Sequence, residues 1–111
     1  MDQLVINEKV GANYMLYEMN GAVNAYTISE IQEKISSLIP DSNIVLDMSG
    51  VIQLDSSGVG MIMAFHNDGE DFGTKLFIMN PSEETRHALN KTGFLDYFNI
   101  IHSVTEVADA S

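Results

Sequence analysis

The residues of this chain with types and spacing suited to chemistry gather in one segment, Asp55-Ser56-Ser57-Gly58-Val59-Gly60. It follows the Val51-Ile52-Gln53-Leu54 stretch and opens an apolar helix. A helix start needs one side-chain cap, and Asp and Ser are among the best. Here two hydroxyls stand where one cap suffices. Two glycines follow in the first turn, each less favourable than alanine inside a helix by roughly 0.8–1.0 kcal/mol. Glycine lets another backbone approach closely. A hydroxyl at a helix N-terminus can also carry a phosphate, because free N–H groups and the helix dipole favour an anion there. On the residues alone, a plain cap cluster and a phosphorylatable binding segment both stay open.

Other chemistry is thinly represented. Gly58 and Gly60 lack the third glycine of a dinucleotide-binding turn, and no phosphate-loop lysine is present, so no cofactor is expected. His66, His87 and His102 are scattered, with no pair at metal-ligand spacing, and read as surface or helix-end residues. Asn67-Asp68-Gly69-Glu70-Asp71 lacks the ligand ladder and closing glutamate of an EF-hand and reads as a solvated acidic turn. Asn90-Lys91-Thr92 is a glycosylation sequon by chance, since nothing points to secretion. The seven methionines lie mostly in apolar stretches and read as core filling. Cysteine is absent, which removes disulfides, thiolate metal sites and cysteine nucleophiles together. With no nucleophile–base pair visible, an enzyme is not the expectation.

The chain has 111 residues, one domain's worth, and its 45% apolar content argues for a packed core. Sixteen acidic against five basic side chains give a formal net charge of −11. That field repels phosphate backbones and anionic lipid, so neither nucleic acid nor membrane is an expected partner. Protein partners with a basic face fit better. No apolar run reaches the roughly 18 residues of a membrane span, and Met1-Asp2-Gln3 lacks a signal peptide's basic flank. The expected location is cytoplasmic.

The elements that must position the segment follow from pattern. Leu4-Val5-Ile6 and Tyr14 to Met19 form a hairpin around a turn at Lys9–Asn13, with Tyr14, Leu16 and Glu18 on one face of the second strand and Met15, Tyr17 and Met19 on the other. Thr27-Ile28-Ser29-Glu30 has the form of a capping box, followed by Ile31, Ile35, Leu38 and Ile39 at helical spacing up to Pro40. Ile44-Val45-Leu46 and Leu76-Phe77-Ile78-Met79 are continuous apolar runs, as in strands covered on both faces. A helix runs from Ser56 to about His66, with an acidic loop over Asn67–Gly73. Another starts at Asn80-Pro81, with Asn80 as its cap, and closes at Gly93 in the left-handed position. Phe98 to Ile101 is a last short strand, and Ser103-Val104-Thr105-Glu106 caps a terminal helix. The alternation predicts an α/β domain, its hairpin joined to parallel strands in one mixed sheet.

At this point the chain resembles a known family. Asp55-Ser56-Ser57-Gly58-Val59-Gly60, preceded by Ile44-Val45-Leu46-Asp47 and Val51, is similar to the phosphorylation segment of anti-sigma factor antagonists, which are single STAS domains. Gly21-Ala22-Val23-Asn24-Ala25-Tyr26-Thr27 resembles the stretch leading into that family's first helix. Lys75 to Asn80 resembles its strand after the central helix, and Thr92-Gly93-Phe94-Leu95-Asp96-Tyr97-Phe98 its closing glycine–leucine turn. The matching pieces keep their order over about ninety residues.

The resemblance implies a STAS fold over residues 1–111, with a mixed central sheet packed against about four helices. It implies a partner switch. The unphosphorylated protein binds an anti-sigma factor, often a serine kinase, and frees the sigma factor. Phosphorylation of Ser56 releases the complex, and a PP2C-like serine phosphatase resets it. Asn24, Tyr26, Asp55, Ser57, Gly58 and Gly60 would then lie at the partner surface. Asn24 and Ala22 stand where many members carry acids, which removes charge that a basic partner would read. A non-switching STAS module, such as a lipid-transport subunit, a sensory assembly or a motility or secretion regulator, is the alternative.

Overall fold

The computed structural model of the protein describes residues 3–93 and 95–110. Met1 and Asp2, on which the signal-peptide reading partly rested, Phe94 of the closing turn, and Ser111 lie outside them. In chain order the elements are β1 (Leu4–Val10), β2 (Met15–Val23), α1 (Ile28–Leu38), β3 (Ile44–Leu54), α2 (Ser56–Phe72), β4 (Leu76–Met79), α3 (Glu83–Lys91), a 3-10 turn (Leu95–Tyr97), β5 (Asn99–Ile101) and α4 (Thr105–Ala110). The strands form one sheet in the order β1-β2-β3-β4-β5. β1 and β2 pair antiparallel, with Leu4 opposite Gly21 and Val10 opposite Met15. Every other neighbouring pair is parallel, including Ile44–Asp47 of β3 beside Leu76–Met79 of β4. This is the mixed sheet that the hairpin and the covered apolar runs require.

Strand alternation sorts the core into two layers. Tyr17, Met19, Val23, Ile44, Leu46, Met48 and Ile78 face α1, α2 and α3, where Ile31, Ile35, Met61, Ile62, Phe65 and Leu89 meet them. Leu16, Val45, Phe77, Met79 and Ile101 face the other way and are covered by Val107 of α4. Both faces expected for the second hairpin strand are occupied as its alternation requires. The Tyr17 phenol is buried without a hydrogen bond of ordinary geometry. Its burial, with Glu8 beside it, pushes its ionisation up.

Four local expectations are corrected. β3 does not stop near Asp47: it continues through Ser49 and Gly50 to Leu54, paired with β2 across two register shifts. At the second shift Gly21 takes φ 121°, and a Cβ there would stand 2.1 Å from the Gln3 carbonyl oxygen. This is a β-bulge that only glycine fits. α2 does not end at His66, and Asn67–Phe72 is helix rather than acidic loop; the left-handed closing residue is Gly73, at φ 79°. The cap of α3 is Ser82, whose hydroxyl accepts from the Thr85 N–H at 3.1 Å. Asn80 lies before it in the left-handed region at φ 48°, donating its N–H to the Ile101 carbonyl. Thr27 makes no capping-box bond into α1; its hydroxyl accepts from the Asn24 N–H and donates to the Ala22 carbonyl. By contrast, Gly93 does take the left-handed closing position. At α4 the Glu106 carboxylate does reach back to the Ser103 N–H at 3.0 Å.

Candidate functional site

The site grows from the end of β3. Asp55 is extended, at φ −92° and ψ −177°, and caps α2. One carboxylate oxygen accepts from the Gly58 N–H at 3.0 Å. The other accepts from the Ala25 N–H at 3.3 Å, and the Asp55 N–H donates to the Val23 carbonyl at 3.2 Å. One side chain therefore ends the strand, starts the helix and anchors the loop after β2. With the cap supplied by Asp55, the hydroxyls of Ser56 and Ser57 form no hydrogen bond among the described residues. Ser56 is exposed in the first turn of α2, and Ser57 is half-buried beside it.

The loop from β2 to α1 is organised by Asn24. Its amide nitrogen donates to the Gln53 side-chain oxygen at 3.0 Å, and its amide oxygen accepts from the Tyr26 N–H at 2.9 Å. Its backbone carbonyl accepts from the N–H groups of Thr27 and Ile28. Asn24 is only 4% exposed and Ala22 3%. The expectation that these two positions offer or withhold surface charge is thus corrected: they lie inside, and Asn24 holds the loop rather than presenting a surface. Tyr26, the next residue but one, is 90% exposed, and Ile52 near the end of β3 is 72% exposed.

The two glycines of the segment separate. Gly58 is buried, and a Cβ on it would stand 2.5 Å from Leu54 Cδ1, 2.9 Å from Val23 Cγ1 and 3.0 Å from the Val23 carbonyl oxygen. The close approach it permits is that of α2 onto β2 of its own chain. Gly58 therefore packs against its own chain, and the expectation that it lies at the partner surface is corrected. Gly60 is exposed, with nothing within 4 Å of where its Cβ would be.

Between the first turns of α2 and the length of α3 lies a groove of about 440 Å³. Asp55, Ser56 and Val59 line one side, and Glu84, His87 and Lys91 the other. Sequence reasoning placed Ser56 at a helix start but not His87 and Lys91 opposite it. Their spacing of four residues puts both on one face of α3, yet only the packing of α3 shows which element that face meets. His66, read as a surface residue, is buried between Tyr97 and Phe98, whose rings meet it edge-on with centroids 5.3 and 5.4 Å away. Among the described residues no helix is long and apolar enough to cross a membrane.

Residues 3–107 match the STAS domain family. The fold is shared with an anti-sigma factor antagonist from Mycobacterium paratuberculosis, at TM-score 0.81 and 17% identity, covering 97% of this chain and 93% of that one. It is shared also with the anti-sigma factor antagonist SpoIIAA. The unphosphorylated form matches at TM-score 0.76 and 23% identity, over 99% of this chain and 95% of that one. The phosphorylated Bacillus form matches at TM-score 0.73 and 23% identity, over 99% and 98%. A shorter stretch of 53 residues is 40% identical to sulfate transporter 2.1 of Arabidopsis thaliana, covering 48% of this chain and 8% of the transporter. With its five-stranded mixed sheet, its helices and a family match that spans nearly its whole length, the chain belongs to the STAS domain family.

Proposed function

We propose that this protein is an anti-sigma factor antagonist working by partner switching in the cytoplasm, with Ser56 as its phosphorylation site. The observation that carries the reading is the exposed Ser56 hydroxyl in the first turn of α2, left unused because Asp55 supplies the cap. The likeness to SpoIIAA, a protein solved both with and without phosphate, supports it. In the unphosphorylated state an anti-sigma factor that is also a serine kinase binds across Ser56, Ser57, Gly60 and Tyr26. The kinase transfers the γ-phosphoryl group of ATP to the Ser56 oxygen, releasing ADP and taking the hydroxyl proton on its own base. A PP2C-like phosphatase hydrolyses the ester. This chain is substrate and switch rather than catalyst.

The physics favours a change at the interface over a change of fold. Phosphate adds about −1.5 to −2 charges. Free N–H groups at the helix start stabilise that charge by roughly 0.3–1 kcal/mol, while Asp55 next door opposes it. The two roughly offset, so the phosphoprotein stays folded. In a packed contact the same dianion meets desolvation and bulk. A penalty of only ~3 kcal/mol is more than a hundredfold in affinity. The test is kinase labelling with ATP, phosphosite mapping and a binding titration. Ser56→Ala is expected to bind constitutively and escape labelling, Ser56→Asp to bind weakly, and Ser57→Ala to accept phosphate. Labelling of Ser56→Ala, or full binding by Ser56→Asp, would move the switch elsewhere.

The 53-residue match to the plant transporter favours a second reading, a STAS module with no switch. On that reading Ser56 takes no phosphate from any kinase, and Ser56→Asp leaves every interaction intact.

A further inference from the structure

We propose that a phosphate on Ser56 is held by this chain itself, clamped across the groove by His87 and Lys91 of α3. This rests on the reading of Ser56 as the phosphate acceptor and concerns where the phosphate goes once formed. The chain has only five Lys and Arg and three His against sixteen carboxylates, yet His87 and Lys91 share a groove with Ser56. Elsewhere lysines are engaged: Lys9 meets Glu18 at 3.2 Å and Lys34 meets Glu8 at 2.8 Å. His87 and Lys91 are exposed and form no ion pair among the described residues. In a strongly acidic protein Lys91 is a cation with no ion-pair partner among the described residues, set with the His87 imidazole in the groove of the hydroxyl that would receive an anion. Lysine binds phosphate as a compact point charge on a flexible stem, so no fixed geometry is needed in advance.

Two carboxylates face the same groove. Asp55 accepts N–H donors at both oxygens, from Gly58 and Ala25, so its charge is partly compensated. Glu84 lies one turn before His87 on α3 and opposes the phosphate. The clamp is therefore of moderate strength, and it draws the phosphate towards α3 instead of leaving it upright in solvent. The phosphorylated face then presents the filled groove to a partner, with Lys91 turned inward.

The test installs phosphoserine at position 56 during translation, so occupancy does not depend on any kinase. The 31P titration midpoint of the phosphate is then read in the full chain, in Lys91→Gln and in His87→Gln. All three should melt alike, since both side chains are exposed. Lys91→Gln should raise the midpoint by about 0.3 pH unit or more, because an adjacent cation favours the dianion. Much of that difference should vanish in about 1 M salt, which screens exposed charges. The helix start acts equally in all three proteins and cancels. Identical midpoints in the three would show a phosphate pointing into solvent and overturn the clamp. If kinase mapping instead finds a residue other than Ser56, the switch reading fails, while the titration still decides whether the groove holds a phosphate placed there.

Discussion

The two ends of α2 are built on opposite terms. At its start the backbone is tied down by a single carboxylate, the first glycine is pressed against β2, and two serine hydroxyls make no hydrogen bond among the described residues. At its far end polar and small residues are closed in. His66 is held between two aromatic rings, and Gly69 fits under the Thr74 backbone, whose N–H donates to the Gly69 carbonyl at 2.9 Å. The contrast separates two uses of the same residue types. Where glycine and polar groups are packed inside, they are architecture. Where they are exposed and unsatisfied in one otherwise rigid turn, they are available to something outside the fold.

The sharpest way to break this comparison lies within the first turn. Gly58→Ala is expected to destabilise by about 1–3 kcal/mol, as overpacking does, because its Cβ meets both side chain and carbonyl of neighbouring strands. A thermal melt should show a loss of roughly 4–8 °C per kcal/mol for a chain this size. An unchanged melting temperature would show that α2 is free to lift off β2. Asp55→Ala comes next, at about 0.5–2 kcal/mol for the lost cap. It should also speed hydrogen exchange at the Ala25 amide, since the second carboxylate oxygen goes with the first. Gly60→Ala carries the opposite sign: it should stabilise by up to ~1 kcal/mol through helix propensity alone, as its Cβ meets nothing. If it weakens partner binding while raising the melting temperature, Gly60 belongs to the interface. If affinity is unchanged, the interface begins elsewhere. The smallest effect is at another helix start. Backbone N–H groups of His102 and Ser103 hold the exposed Glu106 carboxyl below its ordinary value. A depressed folded value gives stability that is present above the usual carboxylate range and lost as pH falls through the folded value. Glu106→Gln should therefore lower the melting temperature slightly at neutral pH, and the difference should close as pH falls below the usual carboxylate range.

Much of the frame was legible in the residues. Continuous apolar runs announced the covered strands, alternation announced the two faces of β2, and Asp55-Ser56 announced the start of α2. What was hidden depended on neighbours. Asp47, Ser49 and Gly50 are weak strand formers, and only pairing with β2 carries β3 through them. Asn67, Asp68, Gly69 and Asp71 are poor helix formers, and packing of the buried His66 and Gly69 helps α2 continue through them. Asn24 looked like partner surface because the resembled family carries acids there, but here its amide lies inside, donating to Gln53 and accepting from the Tyr26 N–H. His87 and Lys91 went unremarked, because the serine that shares their groove comes from some thirty residues earlier.

The unequal covering of the sheet sets an order of events in time. One face lies under three helices, whereas the other is covered, among the described side chains, by Val107 of the six-residue α4 with Val104 beside it. Sub-global openings begin where the fewest apolar contacts must break. α4 should therefore come away well before the remainder, baring Leu16, Val45 and Phe77 for brief intervals while Ser56 and its groove stay intact on the far side. Amides of α4 would exchange with solvent far sooner than those of β3 and β4. A protease acting on the native protein would cut at α4 first and leave the junction at Asp55 whole.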